Sequence, residues 1–598
     1  MRRYIFLAAA LLAGAAASAQ NLNPTVQVTN DYETKPMEVE KNSVRMAVPD
    51  SLLKFDWNFY YSVFDNPYRG AYEFSPYRID MKPDATVRDV RKFYLRAGAG
   101  YSLHPEAQVA FSPVVKGPWG LTIYDDFKGF SGLYHNITVP LEGEGPYTVG
   151  PDGDYRGSDF ANRVGATLRH DGGASVITLD AGMDLIRTKE QYFNGNSMLG
   201  GSAVLRAHSI GGGDFQYDAS LAWTGLGNKI LPPDVSSAAA HKYTEHDLGM
   251  DARLGYVLQR GQMLRLGTSY HHVIFGEISG QALADVVDLA PAYVYSDNGF
   301  SFQAGIRFSN VWRNYKYDEE YYNAHYLDQS LLDVADYKGN KIFPDVRLSY
   351  EAVPDKLVLS AKVVGGQKFN TYGSYLKGNH HLPAIASYQY SRWSGDATVN
   401  TFDAGVGISG RVKHVFQYGA EAGFARYFNA PMPGIIHSHE LYTSDYAAFP
   451  FISMTNYYLL YADATGALAT DRVDASARLR LQKSNLKPEM ERGYPALDLP
   501  LFTGSAEFVY NWNRRVFAGI SAEWQTSRKG EGMYVSYGTA YDCFVPGWVD
   551  LGVSAEFRLS HRFSLWAEGR NLLNQTVMRN FMISEKGPYF TAGICLNL

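Results

Sequence analysis

The chain has 598 residues, a formal net charge of −6 at pH 7 and two cysteines, Cys543 and Cys595. The weak negative charge gives no basic surface for nucleic acid, so this class of partner is not expected. Two cysteines in a chain of this length form no disulfide framework. Tyrosine and glycine are abundant instead, with 44 and 57 residues, a composition that suits tightly curved strands with aromatic girdles.

The first 19 residues are typical of a secretory signal peptide. Two arginines precede an apolar run from Tyr4 to Leu12, and small residues ending in Ala17-Ser18-Ala19 predict cleavage before Gln20. The alternative, an uncleaved membrane helix, is disfavoured because the apolar core is short and its far flank is all small residues. No later run of about 18 to 20 apolar residues occurs, so no membrane-spanning helix is predicted.

Residues 20–90 differ in character from the rest of the chain. Their charges are scattered, and six prolines interrupt them: Pro24, Pro36, Pro49, Pro67, Pro76 and Pro83. We predict an extended N-terminal segment, periplasmic or lumenal, with short strands at Thr25–Thr29 and Trp57–Val63. The segment is too short to be expected as an independent domain.

From residue 91 onward the pattern is typical of one β-hairpin after another. After Pro546, apolar and polar residues alternate strictly, which predicts a strand with one apolar and one polar face. The apolar face carries Val549, Leu551, Val553, Ala555, Phe557 and Leu559, and the polar face carries Asp550, Gly552, Ser554, Glu556 and Arg558. In a membrane β-barrel the apolar face meets lipid and the polar face meets the lumen.

Short and long connections alternate along this region. Tight turns are predicted at Asp171-Gly172-Gly173 and near residues 211–214, 260–261, 297–299, 354–355, 413–414, 465–466 and 513–515. Longer connections are predicted near residues 127–160, 227–241, 313–339, 367–399, 429–447, 483–495, 528–545 and 571–587. Such asymmetry is typical of outer-membrane barrels. We therefore predict an all-β fold, a transmembrane antiparallel up-and-down β-barrel of about 22 strands over residues 91–598.

The C-terminal hairpin carries a family resemblance. Gly569-Arg570-Asn571-Leu572-Leu573-Asn574 resembles the element before the last strand of TonB-dependent receptor barrels. The final strand, from Thr591 through Gly593 and Leu596 to Leu598, resembles the signal read by barrel-assembly machinery, although the family usually ends in Phe or Tyr. Residues 343–346 and 405–410 also resemble the barrel portion of this group. The resemblance implies transport across the outer membrane.

The N-terminal part departs from that family, whose barrels follow a globular plug of roughly one hundred or more residues. Only about 70 residues lie between the predicted signal peptide and the predicted barrel, which indicates a plugless relative. Thr25, Val26, Gln27 and Val28 resemble a TonB box, a strand offered to an energising partner by β-augmentation. An ordinary lumenal or edge strand is the alternative. A barrel of about 22 strands is normally filled, so this segment, inward-folded loops or another protein should block it.

Two outer loops contain candidate binding residues. Tyr315, Tyr317, Tyr321 and Tyr322 lie among acidic residues and suit a sugar, a peptide or a protein contact; a loop folded on itself is the alternative. His380 and His381, and in the next loop His437, His439 and Glu440, have metal-ligand chemistry, but loop histidines are more often plain surface residues. His271 and His272 are neighbours in a strand and cannot turn to one metal. No metal or other cofactor is predicted.

No nucleophile motif such as G-x-S-x-G occurs, so neither catalysis nor a catalytic residue is predicted. The first functional hypothesis is uptake or passage of a nutrient. The alternative is a structural barrel subunit of a larger outer-membrane assembly. The expected partners are outer-membrane lipid and either a surface lipoprotein, a TonB-type energiser or other subunits of such an assembly.

Overall fold

The computed structural model describes residues 92–598 except 114–116, 142–144, 191–194, 211–212, 231–240, 260, 278–279, 318–338, 355, 383–396, 414, 439–446, 488–495 and 535–538. Several predictions lie outside these residues. They concern the signal peptide (1–19), the segment 20–90 with Thr25, Val26, Gln27 and Val28, and the loop residues Tyr321, Tyr322, His439 and Glu440. Within the described part, no helix combines the length and apolarity needed to cross a membrane.

Strands dominate the described residues. They are β1 (Phe93–Tyr101), β2 (Glu106–Phe111), β3 (Trp119–Thr138), β4 (Tyr147–Thr148), β5 (Gly150–Asp171), β6 (Ser175–Lys189), β7 (Asn196–Ser209), β8 (Phe215–Ile230), β9 (His241–Gln259), β10 (Gln262–Glu277), β11 (Gly280–Asp297), β12 (Phe300–Tyr317), β13 (Gly339–Val353), β14 (Leu357–Phe369), β15 (Ala397–Val412), β16 (Phe416–Ser438), β17 (Ala447–Ala469), β18 (Val473–Lys487), β19 (Phe502–Trp512), β20 (Val516–Gln525), β21 (Arg528–Tyr534), β22 (Thr539–Val545), β23 (Trp548–Arg558), β24 (Phe563–Arg570) and β25 (Tyr589–Asn597). One short helix, α1 (Tyr372–Leu376), follows β14.

Twenty-two of these strands form one closed antiparallel barrel, because each pairs with the next wall strand and β25 pairs with β1. The closing register runs from Tyr94 opposite Asn597 to Tyr101 opposite Phe590. The other three strands, β4, β21 and β22, lie in connections. The predicted architecture and strand number are confirmed.

The two faces of the wall follow the predicted alternation. On β23, Val549, Val553 and Phe557 are 37%, 41% and 46% exposed on the outer surface, whereas Asp550 is 2% exposed and faces inward. The outer surface therefore presents an apolar band, as a membrane-spanning barrel requires. Tight turns follow residue chemistry, for Asn298 and Gly299 have φ values of 47° and 77°, the left-handed region that a two-residue hairpin needs.

Two details of the predicted organisation are wrong. Thr465 and Gly466 lie inside β17, opposite Gly419 and Tyr418, and the turn follows at residues 470–472. The connection expected at 127–160 spans only residues 139–149, since β3 and β5 extend further than predicted. Polar and glycine-rich strand ends lack apolar alternation, which hides them from a pattern search. The connection 528–545 itself contains β21 and β22.

Candidate functional site

The lumen and its mouth form the candidate site. We call the rim with the longer connections the outer rim; most of the tight turns and both ends of the barrel lie at the other. The lumenal wall carries a charged network at β14–β18. Lys362 lies 3.2 Å from Asp403, and Tyr461 donates hydrogen bonds to Asp403 and Glu421 at 2.6 and 2.8 Å. This polar wall suits a water-filled interior.

Residues 370–382, the described part of the connection after β14, fold into the lumen instead of outward. They include α1, whose N-cap Thr371 accepts a hydrogen bond from the backbone N–H of Ser374 at 3.3 Å. Tyr372 and Leu376 are fully buried and pack in a cluster with Met198, Tyr243 and other residues of the opposite wall. Burial of apolar surface therefore holds α1 across the lumen near the outer rim.

A carboxylate on the wall anchors the start of this helix. Glu245 of β9 is 5% exposed and accepts hydrogen bonds from the backbone N–H groups of Tyr372 and Gly373 at 2.9 and 3.1 Å. The hydroxyl of Tyr243 donates a third at 2.8 Å. With Thr371, Glu245 satisfies the first three N–H groups of α1, which otherwise lack partners at a helix start.

Two asparagines hold Tyr372 of α1 and the segment 380–382 that follows it. Asn228 donates to the hydroxyl of Tyr372 at 2.8 Å, and Asn196 donates to the carbonyls of His380 and Leu382 at 2.7 and 2.9 Å. Both asparagines are buried. Because the amide side chains replace water as partners of buried groups, the connection has a specified position.

Ion pairs involving histidine complete this anchorage. His380 contacts Asp159 at 2.9 Å, and His381 contacts Glu190 at 3.1 Å. Burial alone would lower the pKa of His381, but the hydrogen bond to Glu190 and the charges of Glu190, Asp159 and Glu585 outweigh it and raise the pKa. His380 and His381, which were considered as possible metal ligands, thus bind carboxylates of the barrel wall and its connections and hold the inward-folded segment in place.

A second connection crosses the outer mouth as a hairpin. Strands β21 and β22 pair with each other, and their outer edges add parallel bridges to β16 and β4. Its inner side is apolar: Cys543 is 1% exposed and Val545 is fully buried, in a cluster with Val149 and Ile435. The hairpin therefore links two distant sectors of the rim. Cys543 and Cys595 are both free.

The connection between β24 and β25 lies beneath this hairpin. Arg579 forms ion pairs with Asp550 and, at 3.0 Å, with Glu523 on the lumenal wall. Asn571 of the family-like motif has a φ of 49° and donates its backbone N–H to Asp550 at 2.7 Å. The motif thus turns the chain inward at the end of β24.

Arg528 is the least compensated cation of the hairpin. It is 7% exposed, and its guanidinium lies 4.9 Å from the centroid of the Phe581 ring. Its Nε has no hydrogen-bond partner within the described part of the chain. Burial lowers the pKa of Arg528 to about 10. The residue therefore contributes a desolvation cost to the folded hairpin.

A chamber of about 400 Å³ lies between α1 and the wall. One side is formed by β6–β9 and the other by β14–β17. Tyr375, Tyr427 and Tyr457 are among the residues that line it, and Lys368 is among the charged ones. Its size falls in the range of small-molecule sites.

The predicted site residues are only partly covered. The backbones of Tyr315 and Tyr317 end β12, but their side chains and that of His437 are not described. His271 contacts Asp247 and His272 contacts Asp285, so the predicted divergence of these neighbours is confirmed. Among the described residues, no group of three acidic, histidine or cysteine side chains is placed to hold a metal.

Sequence reasoning missed Glu245, Asn196 and Asn228. Their role depends on partners that lie 127 to 186 residues further along the chain, and no local pattern marks such a pairing. No family model and no curated protein matches the chain.

Solved structures do resemble it. The ferric-catecholate import receptor Fiu of K12 E. coli has a TM-score of 0.59 at 9% identity, covering 86% of this chain and 82% of its own. The FrpB iron transporter of Neisseria meningitidis has a TM-score of 0.58 at 9% identity, and the match covers 85% of this chain and 81% of the transporter. The siderophore receptor PirA of Acinetobacter baumannii has a TM-score of 0.57 at 11% identity, and the match covers 85% of this chain and 80% of the receptor.

These similarities define the class of fold. The closed 22-strand barrel of this chain resembles the barrels of TonB-dependent receptors, as the C-terminal motifs predicted. At this level of identity the likeness concerns the fold alone.

Proposed function

We propose that the protein lies in the outer membrane and admits a nutrient across it. The observation that carries this proposal is the solute-sized chamber inside the barrel, between α1 and the wall. The apolar outer band and the polar lumen support it, because they suit a barrel in lipid with water inside. The similar structures are described as import receptors and an iron transporter, which favours uptake over catalysis.

The finer proposals concern the N-terminal part and its partners. Residues 1–19 are removed as a signal peptide, and no globular plug precedes the barrel. Thr25, Val26, Gln27 and Val28 engage a TonB-type energiser by β-augmentation. The inward-folded connections take over part of the role of a plug, since α1 and the β21–β22 hairpin occupy the lumen and mouth. Tyr315, Tyr317, Tyr321 and Tyr322 offer an outer surface to a nutrient or a surface lipoprotein.

Conductance in planar bilayers tests the proposal. The full chain should conduct ions through its polar lumen. If the N-terminal segment blocks the lumen, a variant lacking residues 20–88 should conduct instead. Heat-denatured protein is the control. A barrel that remains electrically silent in both forms would contradict passage of a solute.

A second candidate is a structural subunit of an outer-membrane assembly. The covered mouth favours it, because the hairpin bridges β4 and β16 and narrows any open path. Isolation of the tagged protein in mild detergent, followed by mass spectrometry, distinguishes the two. Secretion or assembly components in fixed ratio would favour the scaffold, whereas a surface lipoprotein or energiser would favour uptake.

A further inference from the structure

The acidic groups that line the chamber are already engaged. Glu245 accepts three hydrogen bonds, as described above. Asp184 lies 3.5 Å from Lys377 and 3.9 Å from Arg163. Asp247 lies 3.1 Å from His271. These carboxylates are therefore poorly suited to recognise a cationic solute, since each would first have to lose a partner.

Lys368 differs from the other charged residues of the chamber. It lies on β14 opposite Thr398, and both residues line the chamber. Its side chain is exposed and lines the chamber. Within the described residues it has no ion-pair or hydrogen-bond partner. Lys377, the chamber's other lysine, is paired with Asp184. Since no described residue occupies its three donors, the ammonium can bind an occupant of the chamber.

The tyrosines that line the chamber offer little ring surface, because Tyr375, Tyr427 and Tyr457 are only 6%, 2% and 7% exposed. Tyr427 and Tyr457 face each other across paired strands, with ring centroids 5.0 Å apart and planes 25° apart. Tyr375 of α1 and Met432 line the same chamber. These rings therefore pack within the wall, and the charge on Lys368 is the feature by which the chamber can recognise an occupant. The chamber volume, about 400 Å³, suits a compact molecule.

We propose that the chamber selects a compact carboxylate, which binds the ammonium group of Lys368. This inference rests on the proposed function and specifies its solute. A sugar acid and an aromatic acid share this chemistry. A hydrogen bond to a charged group is strong enough to change affinity about tenfold or more.

Calorimetric binding to the full chain in detergent tests the proposal. The probes are two pairs that differ in charge: D-glucuronate against D-glucose, and benzoate against benzyl alcohol. At least one acid should bind about tenfold or more tightly than its neutral counterpart. Preference within the first pair identifies a sugar acid, and preference within the second identifies an aromatic acid.

Three variants separate Lys368 from the general charge of the lumen. Lys368→Gln should reduce acid affinity to that of the neutral probe, and Lys368→Arg should keep the preference. Lys128→Gln removes a charge from β3, outside the chamber, and should change little. Equal binding of acids and neutral probes, or equal losses in Lys368→Gln and Lys128→Gln, would overturn the proposal.

The binding assay and the conductance assay fail independently. Selective binding by a barrel that never conducts would contradict the proposed function and leave the chamber's selectivity intact. Conductance without any charge preference in binding would overturn only the role of Lys368. Heat-modifiable migration on gels checks that each variant remains folded.

Discussion

Replacing Glu245 with alanine should release α1 from the barrel wall. The carboxylate accepts hydrogen bonds from the backbone N–H groups of Tyr372 and Gly373, which are buried. Leaving a buried donor without a partner costs about 1–3 kcal/mol, so two such groups cost about 2–6 kcal/mol. Since about 1.4 kcal/mol changes an equilibrium constant tenfold, the open population of α1 should rise about 30-fold or more.

Amide hydrogen exchange measures this opening directly. The amides of Tyr372 and Gly373 should lose protection by at least that factor in Glu245→Ala. Glu245→Gln should lose less, because an amide oxygen still accepts a hydrogen bond. Asp247→Ala is the matched control, since Asp247 lies on the same face of β9 and lines the chamber. Full protection in Glu245→Ala, or an equal loss in Asp247→Ala, would refute the assigned anchorage.

Three further predictions concern the wall, the histidine anchor and the hairpin. Val553→Arg, in the lipid-facing middle of β23, should destabilise the barrel by about 2–4 kcal/mol, whereas lumenal Ser554→Arg should be tolerated; equal denaturant midpoints would mean that the faces are misassigned. The raised pKa of His381 stabilises the fold below about pH 6.5. The melting-temperature advantage of wild type over His381→Gln should therefore be greatest there and shrink as the pH rises through the raised pKa; an advantage that grows with pH would contradict this. Arg528→Met should raise the melting temperature because it removes a buried, poorly compensated charge, while Arg579→Met should lower it by breaking paired contacts; a fall in both would argue for a hidden partner of Arg528.

The wall was predictable because its physics is local. Alternation at Val549 to Leu559 sets two faces, and turns such as Asn298-Gly299 set hairpin ends. Strand ends without apolar alternation, as in β3 and β5, cannot be predicted from this pattern. The turn expected at Thr465-Gly466 was wrong for a related reason: two small residues inside a long strand give the same local pattern as a turn.

The site was largely unpredictable because it depends on contacts across the lumen. Glu245 meets a helix start 127 residues later, and β21 meets the end of β16. The inward direction of these connections depends on burial of Leu376 and Val545 against distant strands. Sequence did indicate that inward-folded loops were one way to fill so wide a barrel.

The central claim is that solutes pass through a lumen restricted by its own connections. Efflux of glucose-sized solutes from proteoliposomes containing the full chain tests it most directly, with trapped dextran as the control for leaky vesicles. We expect Glu245→Ala to release the small solute faster than wild type while both retain dextran. Identical retention of the small solute by both proteins would contradict the claim.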